Sequence, residues 1–158
     1  MKAFTTYKTE SSNVYNKIRK VLSMQGILIR MENLVMPGLP DCLFLFDGNT
    51  IFIELKVQRS GKISMPKFQY SMAMAMLEHV LPHHHWYFIH EDDGLGNEMI
   101  GAYQFVNLAH IDPEYVEGQV NKVVRMNIRA ATPTLCLTKA EDILKWMALT
   151  KEPPYEPS

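Results

Sequence analysis

The residues of this chain best suited to act together chemically lie in one short stretch, GLPDCLFLFDGNTIFIELKVQ, from Gly38 to Gln58. An aspartate (Asp41), a glutamate (Glu54) and a lysine (Lys56) interrupt runs of otherwise apolar, β-prone residues. Two carboxylates held close together in apolar surroundings repel and are driven toward protonation unless a cation neutralises them. Hard oxygen ligands of this kind suit Mg²⁺ or Mn²⁺, with the main-chain carbonyl of Leu55 as a further ligand. A metal that polarises a phosphate and activates water, beside an ammonium that meets the developing negative charge, makes a site for phosphodiester hydrolysis. The plainer alternative is that Asp41 opens a strand at a turn and that Glu54 and Lys56 sit on a solvated edge.

The positions of the three charges depend on how the chain reverses between them. Asp41 to Phe46 and Thr50 to Val57 read as two strands joined by DGNT, and Asp-Gly or Gly-Asn is the strongest short hairpin signal. With Asp47-Gly48 as a two-residue loop, Asp41 lies directly opposite Glu54. With Gly48-Asn49 it lies opposite Lys56 and diagonal to Glu54. Either register puts all three charges on one face, because strand side chains alternate with period 2, whereas a three-residue loop would break the pattern. Facing or diagonal cross-strand positions lie roughly 5–8 Å apart, a span that one divalent cation bridges. Leu43, Leu45 and Phe52 share the charged face, and Phe44, Phe46, Ile51, Ile53 and Leu55 take the other. Apolar residues on both faces are the mark of a central sheet covered on both sides.

Around this hairpin, SSNVYNKIRKVLSMQG reads as a helix capped by Ser11 or Ser12 and ended by Gly26, and ILIRMENLVM as an extended segment. After the loop QRSGKIS, Ser64 as N-cap and Pro66 in the first turn predict a helix from about Pro66 to Leu81. HWYFIH predicts a strand, and DDGLGNEMIGAYQFVNL a turn and another strand. VNKVVRMNIRAATPTLCL offers one or two more, and KAEDILKWMAL a final helix. The order indicates a mixed α/β or α+β fold, with one domain over residues 1–150 and a Pro-rich tail over 151–158.

The chain has 158 residues, enough for one sizeable core. No apolar run approaches the roughly 18 residues of a membrane span, and the first residues lack an apolar signal-peptide core, so no membrane association and a cytoplasmic location are expected. Cys42 and Cys136 are too few for a disulfide framework or a structural zinc site and are read as small core residues. His83, His84 and His85 are read as an exposed helix-to-strand loop, and the methionines of SMAMAMLEHV as core fillers. The net charge of −1 gives no overall field toward nucleic acid, so any such binding must come from a local patch. One is present: no acid lies between Glu54 and Glu78, where Lys56, Arg59, Lys62 and Lys67 fall.

In these residues the chain resembles the PD-(D/E)XK nuclease superfamily. Pro40-Asp41 stands for its first motif and Glu54-Leu55-Lys56 for the (D/E)XK motif. More closely, GLPDCLFLFDGNTIFIELK followed by GKISMPKFQ is similar to the VRR-NUC branch of Holliday-junction-resolvase-like endonucleases. In that branch a Lys-rich loop leads to a helix carrying a glutamine, here Gln69, which shares a helix face with Met72, Ala73 and Met76. The resemblance is close over residues 38–69, and nothing beyond about Asp92 takes part in it. It implies a restriction-endonuclease-like core, a central mixed β-sheet flanked by helices. It implies a Mg²⁺-dependent endonuclease, with Mn²⁺ able to substitute, acting on branched, flapped or nicked DNA in replication, repair or recombination. Small members are often homodimers, and many are phage-encoded. On the same grounds Asp41 and Glu54 bind metal with the Leu55 carbonyl, Lys56 positions water or stabilises charge, and Gln69 orients water or substrate. Glu10 would be an additional acid from the first helix, or else a solvent-exposed acid near a helix N-terminus. Arg59, Lys62 and Lys67 would form a phosphate-binding rim, extended by Lys17, Arg19 and Lys20 or by Lys122, Arg125 and Arg129. The rival readings are an exonuclease or restriction-type enzyme of the same fold, and a catalytically idle module that binds nucleic acid or protein.

Overall fold

The computed structural model describes residues 2–31, 38–92, 95, 98–117 and 122–151. At its centre the stretch CLFLF-DG-NTIFIELKV folds back on itself. Strand β2 (Cys42–Phe46) pairs antiparallel with β3 (Asn49–Val57), Phe46 facing Asn49 and Cys42 facing Ile53. The loop is therefore the two residues Asp47 and Gly48. Both have positive φ, 46° and 77°, as a type I′ turn requires. Of the two registers open from sequence, the one that sets Asp41 opposite Glu54 is the one formed.

Four more strands extend this hairpin. β1 (Ile27–Arg30), β5 (His85–Asp92), β6 (Glu98–Gln104) and β9 (Leu135–Leu137) complete a six-stranded sheet in the order β1-β2-β3-β5-β6-β9. The β3–β5 pairing is parallel and the others are antiparallel, so the central sheet is mixed. Strand alternation divides its residues between two cores. On one face Phe44, Ile53, Leu55, Trp86 and Phe88 pack under helix α1 (Lys2–Gln25) and helix α4 (Ala140–Thr150), with Val14, Ile18 and Leu22 from the first and Ile143 and Trp146 from the second. On the other face Tyr87, Ile89 and Tyr103 meet helix α2 (Lys67–Met76), the short helix α3 (Phe105–Leu108) and a second sheet. That sheet has three antiparallel strands in the order β4-β8-β7: β4 (Lys62–Pro66), β8 (Lys122–Asn127) and β7 (Glu114–Glu117). Among the described residues, no helix is long and apolar enough to cross a membrane.

The junction of α1 and β1 shows how closely the layers meet. At Gly26 an added Cβ would overlap the Leu45 carbonyl oxygen and come within 2.9 Å of the Phe46 Cβ. Gly26→Ala is expected to cost about 1–3 kcal/mol of stability as strain, measured by urea denaturation.

Several sequence expectations are corrected. Ser64 does not cap a helix: KISMP is strand β4, with Ile63 and Met65 buried, and α2 begins after Pro66, which makes no side-chain cap. Helix α2 also stops at Met76, five residues short of Leu81, and Pro82 to His84 form a single 3₁₀ turn. The residues FVNL form α3 instead of extending a strand. His84 and His85 are buried instead of lying in an exposed loop, and Cys136 is exposed while Cys42 is buried. Residues 32–37 of the extended segment, most of the turn before β6, and the tail over 152–158 lie outside the described residues.

Candidate active site

Local backbone chemistry brings the site together from three segments. The β2–β3 turn sets Asp41 at the mouth of the hairpin, level with Glu54, and its Oδ2 accepts the Leu55 N–H at 3.0 Å. A strand residue directs its N–H and C=O to the same edge, so the Leu55 carbonyl faces the Asp41 side. A second tight turn follows at the far end of β3. Arg59 and Lys62 exchange both backbone hydrogen bonds, at 2.9 and 3.0 Å, across Ser60 and Gly61, which have φ of 53° and 77°. This reversal brings β4 back beside Lys56. Helix α2 then supplies Gln69 two residues after its start.

The resulting contacts link the polar side chains into one chain. The Lys56 ammonium donates to Gln69 Oε1 at 2.7 Å and to the Ser64 carbonyl at 3.2 Å. The Gln69 amide donates from Nε2 to Glu54 Oε1 at 3.0 Å, while Lys56 and Glu54 stand 4.0 Å apart. Glu54 is 2% and Lys56 5% exposed. An ammonium has three donors, and among the described residues Gln69 and Ser64 accept from two of them.

Burial pushes the Glu54 carboxyl well above the usual carboxylate range, and the Asp41 charge adds to the push; the Lys56 ammonium opposes it. A hydrogen bond shared with Asp41 raises it further, and the one from Gln69 lowers it. Burial, and after it the charges of Glu54 and Asp41, raises the neighbouring Tyr87 phenol. Tyr87 is the β5 partner of Glu54 in the ladder, is buried, and walls the carboxylate off from water.

This donor set fits a small divalent cation. Two carboxylates and one carbonyl share an edge, and their mutual repulsion is what a cation would relieve. Among the described residues no group of three or more His, Cys, Asp and Glu side chains converges. Mg²⁺ commonly takes only one or two carboxylates and keeps several waters, so the smaller set suffices for it.

Asp41, Glu54, Lys56 and Gln69 thus lie close together. Glu10 is carried within α1, and its side chain lies outside the described residues. Arg59 and Lys62 flank a groove of about 520 Å³ that also takes in Ser64, Arg125 and Arg129. Lys67 lies apart from them, in a separate recess of about 310 Å³ with Tyr115, Glu117 and Lys122. Lys17 is paired with Glu98 at 2.7 Å, and it lines a third groove with Lys20, away from the rim. Sequence reasoning missed the Ser64 carbonyl, which a side-chain reading does not register, and Tyr87, which the alternation of HWYFIH places on one face with His85 and Ile89. No protein-family model matches the chain, and no curated protein matches it either.

Proposed function

We propose that this protein is a metal-dependent endonuclease that hydrolyses DNA phosphodiester bonds, with a restriction-endonuclease-like core of the PD-(D/E)XK type. The observation that carries the reading is the pairing of Asp41 with a nearly inaccessible Glu54 across one hairpin, within reach of a lysine fixed by two acceptors. A carboxylate buried beside a second, half-buried one weakens the fold, so stability alone does not account for the pair. Mg²⁺ or Mn²⁺ held by Asp41, Glu54 and the Leu55 carbonyl would supply Lewis acidity toward a phosphoryl oxygen and acidify a water. Lys56 presents its remaining N–H to the oxygen on which charge develops. Gln69 holds Lys56 and Glu54 in fixed relation, so neither reorganises as the reaction proceeds. Tyr87 and the apolar neighbours keep the dielectric low, which strengthens each of these interactions. Structured DNA is the preferred substrate on the strength of the VRR-NUC resemblance.

The test is incubation with Mg²⁺ or Mn²⁺ of supercoiled plasmid and of branched, flapped and linear DNA. The wild type should nick the closed circle, which has no ends. Glu54→Ala and Lys56→Ala should each slow cleavage by roughly 10²-fold or more. If the wild type cuts none of these substrates, or both variants cut as well as it does, the reading fails.

A further inference from the structure

The groove next to Lys56 has a lining that hydrolysis of a small phosphodiester does not need. Four of its side chains are cationic, Arg59, Lys62, Arg125 and Arg129, and among the described residues none is acidic. They come from separate parts of the chain: the turn after β3, strand β8 and the residues just beyond it. Cations that merely solubilise a surface do not require such convergence.

One of them is held in place. Arg129 donates from Nη2 to the Ser60 carbonyl at 3.0 Å, and its backbone N–H donates to Asn127 Oδ1 at 3.0 Å. Its side chain lies over Gly61, where a Cβ would collide with it. A guanidinium fixed in this way loses little rotamer freedom on meeting an anion and keeps further donors for it. Arg125 has Glu114 across from it on β7 and Ser64 across from it on β4. Ser64 is the hinge of the arrangement, because its side of β4 lines the groove while its carbonyl holds Lys56.

We infer that this groove binds the phosphates of a DNA strand next to the scissile one, with Arg125 and Arg129 as the principal contacts. The substrate is then a polynucleotide, and a mononucleotide or small diester lacks the phosphates that the groove takes. The hydrolytic reading of the site enters only in naming one phosphate as scissile.

Binding of a labelled DNA duplex to the full chain in EDTA, followed by fluorescence anisotropy over a range of salt, tests the groove without turnover. Removing one arginine that neutralises a phosphate should reduce the slope of log K against log salt by about 0.9. Arg125→Ala/Arg129→Ala should therefore bind at least about tenfold more weakly and lower the slope by about two. Arg125→Ala alone, which leaves the Ser60 turn intact, should lower it by about one. Wild-type affinity and slope in the double variant overturn the inference. So does a wild type that does not bind, or a double-variant effect with none in Arg125→Ala. A reduced slope in the variants, with no plasmid cleavage by the wild type, leaves the groove standing and removes the hydrolytic reading instead.

Discussion

Glu54→Gln is expected to melt at a higher temperature than the wild type in metal-free buffer at neutral pH, and to have lost DNA cleavage. Glu54 is buried beside Asp41, and burial followed by the Asp41 charge raises its carboxyl by more than Lys56 and Gln69 lower it. A carboxyl whose folded pKa lies above its unfolded value of 4.5 stabilises the fold fully only in acid below that value. The contribution is lost as pH rises through the folded pKa, so above pH 4.5 the raised Glu54 carboxyl becomes a burden to the metal-free fold. Glutamine removes the charge and keeps an oxygen for the Gln69 amide. Added Mg²⁺ should reverse the ranking, because it stabilises only the protein that holds it, by about 2.7 kcal/mol at a hundredfold excess over Kd. Thermal unfolding of both proteins with and without Mg²⁺ decides the point. A variant that melts lower than the wild type, and gains as much from Mg²⁺, would show that Glu54 is not a ligand.

The second large effect concerns acid sensitivity. His85 is 3% exposed, lies against the rings of Phe105 at 5.0 Å and Tyr87 at 5.9 Å, and among the described residues has no hydrogen-bond partner on either ring nitrogen. Burial lowers its pKa from 6.5 to about 4. The fold therefore holds the neutral ring while the unfolded chain takes up a proton first. The contribution is complete above about pH 6.5 and is lost as pH falls toward 4. Between pH 7 and pH 4.5 this amounts to about 2 kcal/mol. Replacement by leucine fills similar space without a titrating group. In urea denaturation, His85→Leu should gain about 2 kcal/mol on the wild type as pH is lowered over that range. A constant gap between the two proteins would mean that His85 takes up its proton in the folded state as readily as in the unfolded chain.

The extent to which the sequence was legible follows from how local each signal is. The hairpin needs only Asp47-Gly48 and the alternation around it, and Asp41, Glu54 and Lys56 follow from parity. Helix α4 and strand β5 are similarly self-contained, being marked by periodicity within one segment. The second sheet is another matter. β4 carries only two buried residues, and its partner β8 lies about sixty residues further on. β7 is mostly polar and exposed. Nothing in KISMP or EYVE alone indicates that they meet through β8. The turn at Ser60-Gly61 was readable as a reversal, yet its polar residues suggested a loop and a helix cap. The histidine run misled for the opposite reason: its composition is polar, but β5 carries His85 into the interior whatever its type.

Strand β3 has one further consequence. Along ELK, successive side chains point to opposite layers, so Leu55 fills the core with Phe88 while Glu54 and Lys56 turn to the other side. A one-residue slip in folding would drive a carboxylate and an ammonium in among Trp86, Phe88 and Trp146 and strand a leucine beside Asp41. The cost of burying those charges makes the misaligned hairpin unfavourable once β5 and α4 pack against it. The residues proposed for chemistry thus also act as a proofreading device for the fold, and a double variant with apolar residues at 54 and 56 should assemble with less fidelity even if it is more stable once formed.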